Sequence, residues 1–172
     1  MLPEFDADDV VDVEVIEHPA PATDRSVARR IALQVLYELD TTNHKVGDVI
    51  ETRLGQQEAD KRQARYVRFL VLGIVAHRTF LDDMIRQYAA EWPLELLAAV
   101  DRNILRMALF EFGIEQRVPV SVAIDEAVGL ARLFGSEASL NFVNGVLGKV
   151  ASDAEILRVL HAQKTDDGEK IV

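Results

Sequence analysis

From Asp24 onward the apolar residues recur at helical spacing almost without interruption, and no later stretch alternates apolar with polar residues as a half-buried strand does. That pattern predicts an all-α chain, a compact bundle of six to seven helices with no internal repeat. The first helix runs from a cap at Asp24 or Ser26 to about Asp40, because either side chain can accept an orphan N–H of the first turn. Val27, Ile31 and Val35 fall within about 80° of one another and form its buried stripe. Arg25 and Arg29 sit about 40° apart on one flank, and Arg30 and Tyr37 lie together on the other.

The stretch from Thr41 to Glu58 holds a short helical pattern (Val46, Val49, Ile50, Leu54) and reads as a connection outside the core. The next helix, about Asp60 to His77, is apolar on nearly all sides from Tyr66 to Ala76, which predicts a central position. Helices follow over about 79–90 and 94–111, separated by Trp92-Pro93. Pro119 suits the first turn of another, which Gly135 ends where a left-handed C-cap belongs. Ser136 then starts a helix to about Ala151, and 153–161 adds a last turn or two.

The net charge of −10 is unevenly placed. Eight of the 29 acids and none of the 19 Lys and Arg residues fall in residues 1–24, so the remaining 21 acids leave the body at only −2. The chain therefore divides into an acidic tail (1–24), a helical domain (25–161) and a polar C-terminal tail (162–172). Alternating valines and carboxylates (Val11, Asp12, Val13, Glu14, Val15) resemble a strand, but so many unpaired acids favour a solvated tail. The alternative is an RNA-mimicking arm that folds back on a basic patch. A nearly neutral body leaves nucleic-acid binding open.

The absence of cysteine excludes disulfides and thiol chemistry. The longest apolar run, Phe69 to Ala76, is far short of a membrane span, and residues 1–24 fit no signal peptide, so a cytoplasmic protein is expected. His18, His44, His77 and His161 are scattered without metal-ligand spacing. Asp82-Asp83 and Asp125-Glu126 are helix neighbours about 100° apart, and they read as surface charge. No glycine loop cradles a phosphate. No metal, no cofactor and no enzyme activity are expected.

Two features remain. Arg25, Arg29 and Arg30 offer planar forks for phosphates and flat faces for bases, or else a charged helix face whose stems cover the core edge. In the segment FGSEASLNFVNGVLGKV (134–150), Gly145 and Gly148 each cost roughly 1 kcal/mol against alanine inside a helix. Either another backbone approaches there or Asn144 and its neighbours have a specific task. Phe142 is a core residue or a platform for a base. The helix–FGS–helix pattern also mimics a DNA-reading helix-turn-helix, but 137–148 lacks Arg, Lys and Gln, and Glu137 repels phosphate.

Three stretches, ARRIALQVLYELD (28–40), VDRNILRMALFEF (100–112) and VPVSVAIDEAVGLARLFGSEASLNFVNGVLGKV (118–150), resemble the NusB family of transcription antitermination factors. The resemblance covers about residues 25–151. It implies two packed three-helix subbundles and no catalysis. It also implies binding of boxA-type single-stranded ribosomal RNA leader together with NusE, a small-subunit ribosomal protein, on elongating RNA polymerase. For RNA it points to Arg25 and Arg29, with Arg30 adjacent, and to Phe142, Tyr88 and Lys149. Ser26, Val27 and Ala138 depart from the family pattern. For NusE it points to Tyr37, Glu95 and Asp101, with Arg102 nearby. The other readings are a protein-binding bundle or homodimer without RNA contact, and the helix-turn-helix regulator. The chain has no room for the methyltransferase domain to which some NusB-like modules are fused.

Overall fold

A computed structural model of the protein describes residues 23–168, with side chains described to Lys164. The acidic tail expected over 1–24 lies outside the described residues except for its last two positions. Among the described residues all regular structure is helical: α1 (Asp24–Thr41), α2 (Val46–Gln56), α3 (Lys61–Ala76), α4 (Arg78–Tyr88), α5 (Ala99–Ala108), α6 (Val120–Phe134), α7 (Ser139–Ala151) and α8 (Ala154–Gly168). A 3-10 turn at Leu94–Leu96 precedes α5, and a π-helical segment, Leu109–Glu115, continues it. Helices α1 to α3 pack as one group and α4 to α7 as a second, with α5 lying against both α1 and α6.

The cap of α1 is Thr23, one residue before the expected pair, and its hydroxyl accepts the Ser26 N–H at 3.1 Å. Ala28, Ile31, Ala32, Val35 and Leu36 then bury one face of the helix. At α3 the capping box is complete: Asp60 accepts from Arg62 and Gln63, and the Gln63 side chain accepts from the Asp60 N–H.

Several expectations need correction. The connecting segment contributes core residues after all, since Val49, Ile50 and Leu54 of α2 are buried. α3 buries one stripe only (Val67, Leu70, Val71, Ile74), while Leu72 is 53% and Val75 39% exposed. The central rod is α5 with its π-helical continuation, in which every residue from 103 to 114 is buried. Gly135 has extended backbone (φ −88°, ψ −177°) and not a left-handed one. What it supplies is room, because a Cβ there would lie 2.6 Å from Ser139 Oγ and 2.7 Å from the Ala131 carbonyl oxygen. α8 extends well past a last turn, crossing the 161/162 boundary. Its Leu160 is buried, and the Lys164 ammonium donates to the Glu115 carbonyl at 2.8 Å.

Gly73 marks the tightest helix contact, since a Cβ there would stand 2.1 Å from Phe110 Cζ. That ring is 1% exposed and held between the rings of Phe69 and His77, so it has nowhere to retreat. Gly73→Ala is expected to cost about 1–3 kcal/mol, an overpacking effect that outweighs the helix propensity gained. Urea unfolding checks it, and a stabilised variant would mean that α3 and the rod can move apart.

Two buried ionic clusters fasten α1 to the rod. Near its start, Arg29 meets Glu111. Near its end, Asp40 accepts from Arg78 at 2.6 Å and Arg102 at 2.6 Å, with Arg106 at 3.2 Å. Arg106 also forks onto Asp82 at 2.6 and 3.0 Å. Asp82 is therefore an interior ion-pair partner and not solvated charge, whereas Asp83 is exposed. Burial pushes the Asp40 carboxyl up. The Arg102 hydrogen bond and the charges of Arg106, Arg102 and Arg78 outweigh that and hold it below the ordinary aspartate value.

Candidate nucleic-acid and partner interface

At the start of α1 the three arginines have different fates. Arg25 is exposed, with its guanidinium 5.2 Å above the Tyr66 ring, and makes no ion pair among the described residues. Arg30 is exposed and likewise unpaired. Arg29 is 3% exposed. Its Nε and Nη2 donate to the two Glu111 carboxylate oxygens, each at 2.8 Å, and its Nη1 lies 3.5 Å from Glu126. Tyr66 donates its hydroxyl to the same Glu111. Burial lowers the Arg29 pKa, but the Glu111 hydrogen bond and charge more than reverse this, so the guanidinium stays charged. The expectation that Arg29 meets phosphate is corrected: its fork is occupied inside the fold.

On α7, Phe142 is half-buried, with its ring against the edge of the core, so it is neither sealed in nor free. Seven residues on, and so on the same side of the helix, Lys149 is exposed. Nothing within the chain comes within 4 Å of a Cβ built at Gly145 or Gly148. No backbone of this chain approaches there, and the glycines leave bare backbone beside Phe142. Tyr88 is half-buried and donates to Asp153 at 2.7 Å. Its burial and this carboxylate push its pKa up to about 12. The Tyr88 hydroxyl is thus committed to the acceptor that caps α8.

A second surface gathers around Tyr37, 46% exposed, at the rim of an apolar hollow of about 260 Å³. Leu33, Gln34, Arg53, Val100 and Phe134 complete the lining. Beside Val100, in the first turn of α5, Asp101 has a buried oxygen, Oδ1, without a hydrogen-bond partner among the described residues. A carboxylate there is favoured by the helix dipole, yet an unsatisfied acceptor is costly. Glu95 is exposed and pairs with Arg86 at 3.2 Å; its own backbone N–H and that guanidinium hold it below the ordinary glutamate value. Arg102 does not join this face. It is largely buried, donating to Asp40 and to the carbonyls of Leu94 and Leu97, which ties down the turn before α5.

Sequence reasoning missed Phe134, 40% exposed, and its neighbour Leu133, 57% exposed. Their signal was an apolar pair at a helix end that no core stripe required. It also passed over Lys61, Arg62 and Arg65, three exposed bases at the start of α3. The helix-turn-helix reading fares poorly: Val143, Val146, Leu147 and Val150 of its second helix are buried, and Lys149 is the helix's one cation. No group of His, Asp or Glu that could hold a metal occurs among the described residues, and none of their helices is long and apolar enough to cross a membrane.

The NusB family model matches residues 26–152, which contain all of these surfaces except Arg25. This chain belongs to the NusB family. It is 45% identical over 129 residues to the transcription antitermination protein NusB of Dehalococcoides mccartyi, covering 75% of this chain and 90% of that one. Among solved structures, T. maritima NusB superposes with a TM-score of 0.70 at 32% identity, covering 76% of this chain and 92% of the other. A structure of the antitermination factors NusB and NusE in complex with double-stranded RNA superposes with a TM-score of 0.69 at 26% identity, covering 74% and 95%. The all-helical NusB-like fold is as the sequence leads one to expect.

Proposed function

We propose that this NusB-family chain is a non-catalytic transcription antitermination factor. It binds a boxA-type single-stranded RNA jointly with the ribosomal protein NusE and is carried with them on elongating RNA polymerase. The observation that carries the reading is the unsatisfied Asp101 Oδ1 beside the apolar hollow at Tyr37. A buried acceptor next to an amphipathic ring is completed by a donor from a docking protein. Glu95 contributes an exposed carboxylate to the same face. Arg25, Arg30 and Lys149 supply cations for phosphates, and Phe142, with bare backbone at Gly145 beside it, supports a splayed base. Tyr88 offers its ring edge only. The RNA in the solved NusB–NusE complex is double-stranded, so the strandedness preferred here belongs in the test.

The experiment is a titration of a boxA-like single strand, with matched duplex RNA and duplex DNA as competitors, with and without NusE. Tighter single-strand binding in the presence of NusE is expected. Arg25→Ala with Arg30→Ala should shallow the log–log salt dependence by about 0.7 for each phosphate that is no longer neutralised. Affinity indifferent to NusE overturns the joint mode. Self-association in the ultracentrifuge without RNA binding would favour the homodimer instead.

A further inference from the structure

The exposed bases of α3 have no role in the reading above. Lys61, Arg62 and Arg65 are solvent-facing and unpaired among the described residues, and Arg68 follows them with Glu51 as its partner. Lys61, Arg65 and Arg68 border a hollow of about 460 Å³. The same outward side of the helix then turns apolar, with Leu72 and Val75 beside a second hollow of about 350 Å³ under Phe69 and Gly73. Nearby acids do little to neutralise it: Asp60 faces its own helix N–H groups, and Glu115 at the far end is engaged by Arg117 and Lys164.

We propose that residues 10–17 (VVDVEVIE) of this chain's own N-terminal segment dock along this face, with the carboxylates of Asp12, Glu14 and Glu17 against the α3 bases and the valines against Leu72 and Val75. Three observations select this occupant. First, residues 1–22 carry seven carboxylates and no Lys or Arg, and residues 10–16 alternate valine with acid. Second, the described chain begins beside this face: Gln63 Nε2 of α3 donates to Asp24 Oδ1 at 3.4 Å. Third, the lengths match, since Arg62 to Val75 spans about 20 Å of helix and a seven-residue extended segment about 23 Å. The tether keeps the segment at millimolar effective concentration, so weak contacts suffice. Docked, the segment neutralises the cations next to Arg25 and must be displaced by any polyanion that takes that surface. The placement does not depend on which polyanion that is.

The chain has no cysteine, so Val13→Cys gives one attachment point for a nitroxide on the full-length protein. Amide signals of residues 62–76 should broaden roughly twofold or more relative to the reduced label at low salt, and recover in about 0.5 M salt, where screening is nearly complete. They should recover equally in Arg62→Glu with Arg65→Glu, and in Asp12→Asn with Glu14→Gln. Broadening that is absent, that centres on another helix, or that survives either double variant overturns the proposal. So does equal broadening of an unlabelled chain mixed with the labelled one, which would place the contact between molecules.

Discussion

Glu111→Leu is expected to cost about 3–5 kcal/mol, because it strands the Arg29 guanidinium in the interior with only Glu126 nearby at 3.5 Å. It also removes the acceptor of the Tyr66 hydroxyl. Against a total stability of about 5–15 kcal/mol this is severe, and the melting temperature should fall by roughly 10 °C. Arg29→Met combined with Glu111→Leu should recover most of the loss, since an apolar pair of similar volume needs no desolvation of charge. The double variant also decides what Arg29 does. If Arg29 is structural, the recovered protein keeps the RNA salt dependence of the parent chain. Denaturant curves for the three variants test the first part, and a Glu111→Leu protein within about 1 kcal/mol of the parent would show the pair to be dispensable.

The second large effect lies at the other end of α1. Asp40→Ala should cost about 3 kcal/mol, near the low end for a broken buried pair because Arg106 keeps Asp82. The same carboxyl sets an acid limit. Its folded pKa lies below the unfolded value of about 3.9, so its contribution is fully present above that value and is lost as pH falls through the folded one. In that window the chain should lose up to about 1.4 kcal/mol per pH unit from this group alone. Glu38, Glu95 and Asp153 are also held low and titrate there, so the comparison with Asp40→Asn isolates the term. Stability curves of the two proteins that run parallel below pH 4 would remove Asp40 from the account.

These two clusters explain where reading the sequence succeeded and where it stopped. The stripe of α1, the cap region of α3 and the position of α7 follow from local spacing, which one sequence displays. The identity of the central helix does not. α5 and its continuation carry Asn103, Arg106 and Glu111, residue types that belong on surfaces unless paired, and their partners are far away in the chain: Glu111 meets Arg29 across 82 positions. α3 looks more apolar yet leaves Leu72 and Val75 in solvent. The same blindness misplaced Asp82 and Arg102. In the candidate site, Arg25, Arg30, Tyr37 and Phe142 were legible because their helix flank and residue chemistry are local properties. Arg29 was not, because a flank 40° from Arg25 was already the edge of the core.

Riveting α1 at both ends has a further consequence. Arg25 and Tyr37 ride on one continuous helix, 12 residues and so about 18 Å apart along its axis. With Arg29 and Asp40 both anchored on the rod, α1 is a fixed gauge: it can neither slide nor rotate to report at one end what has bound at the other. Any mutual reinforcement between a strand held at the first end and a protein held at the second then has to arise where those two guests touch, with this chain setting the gap between them.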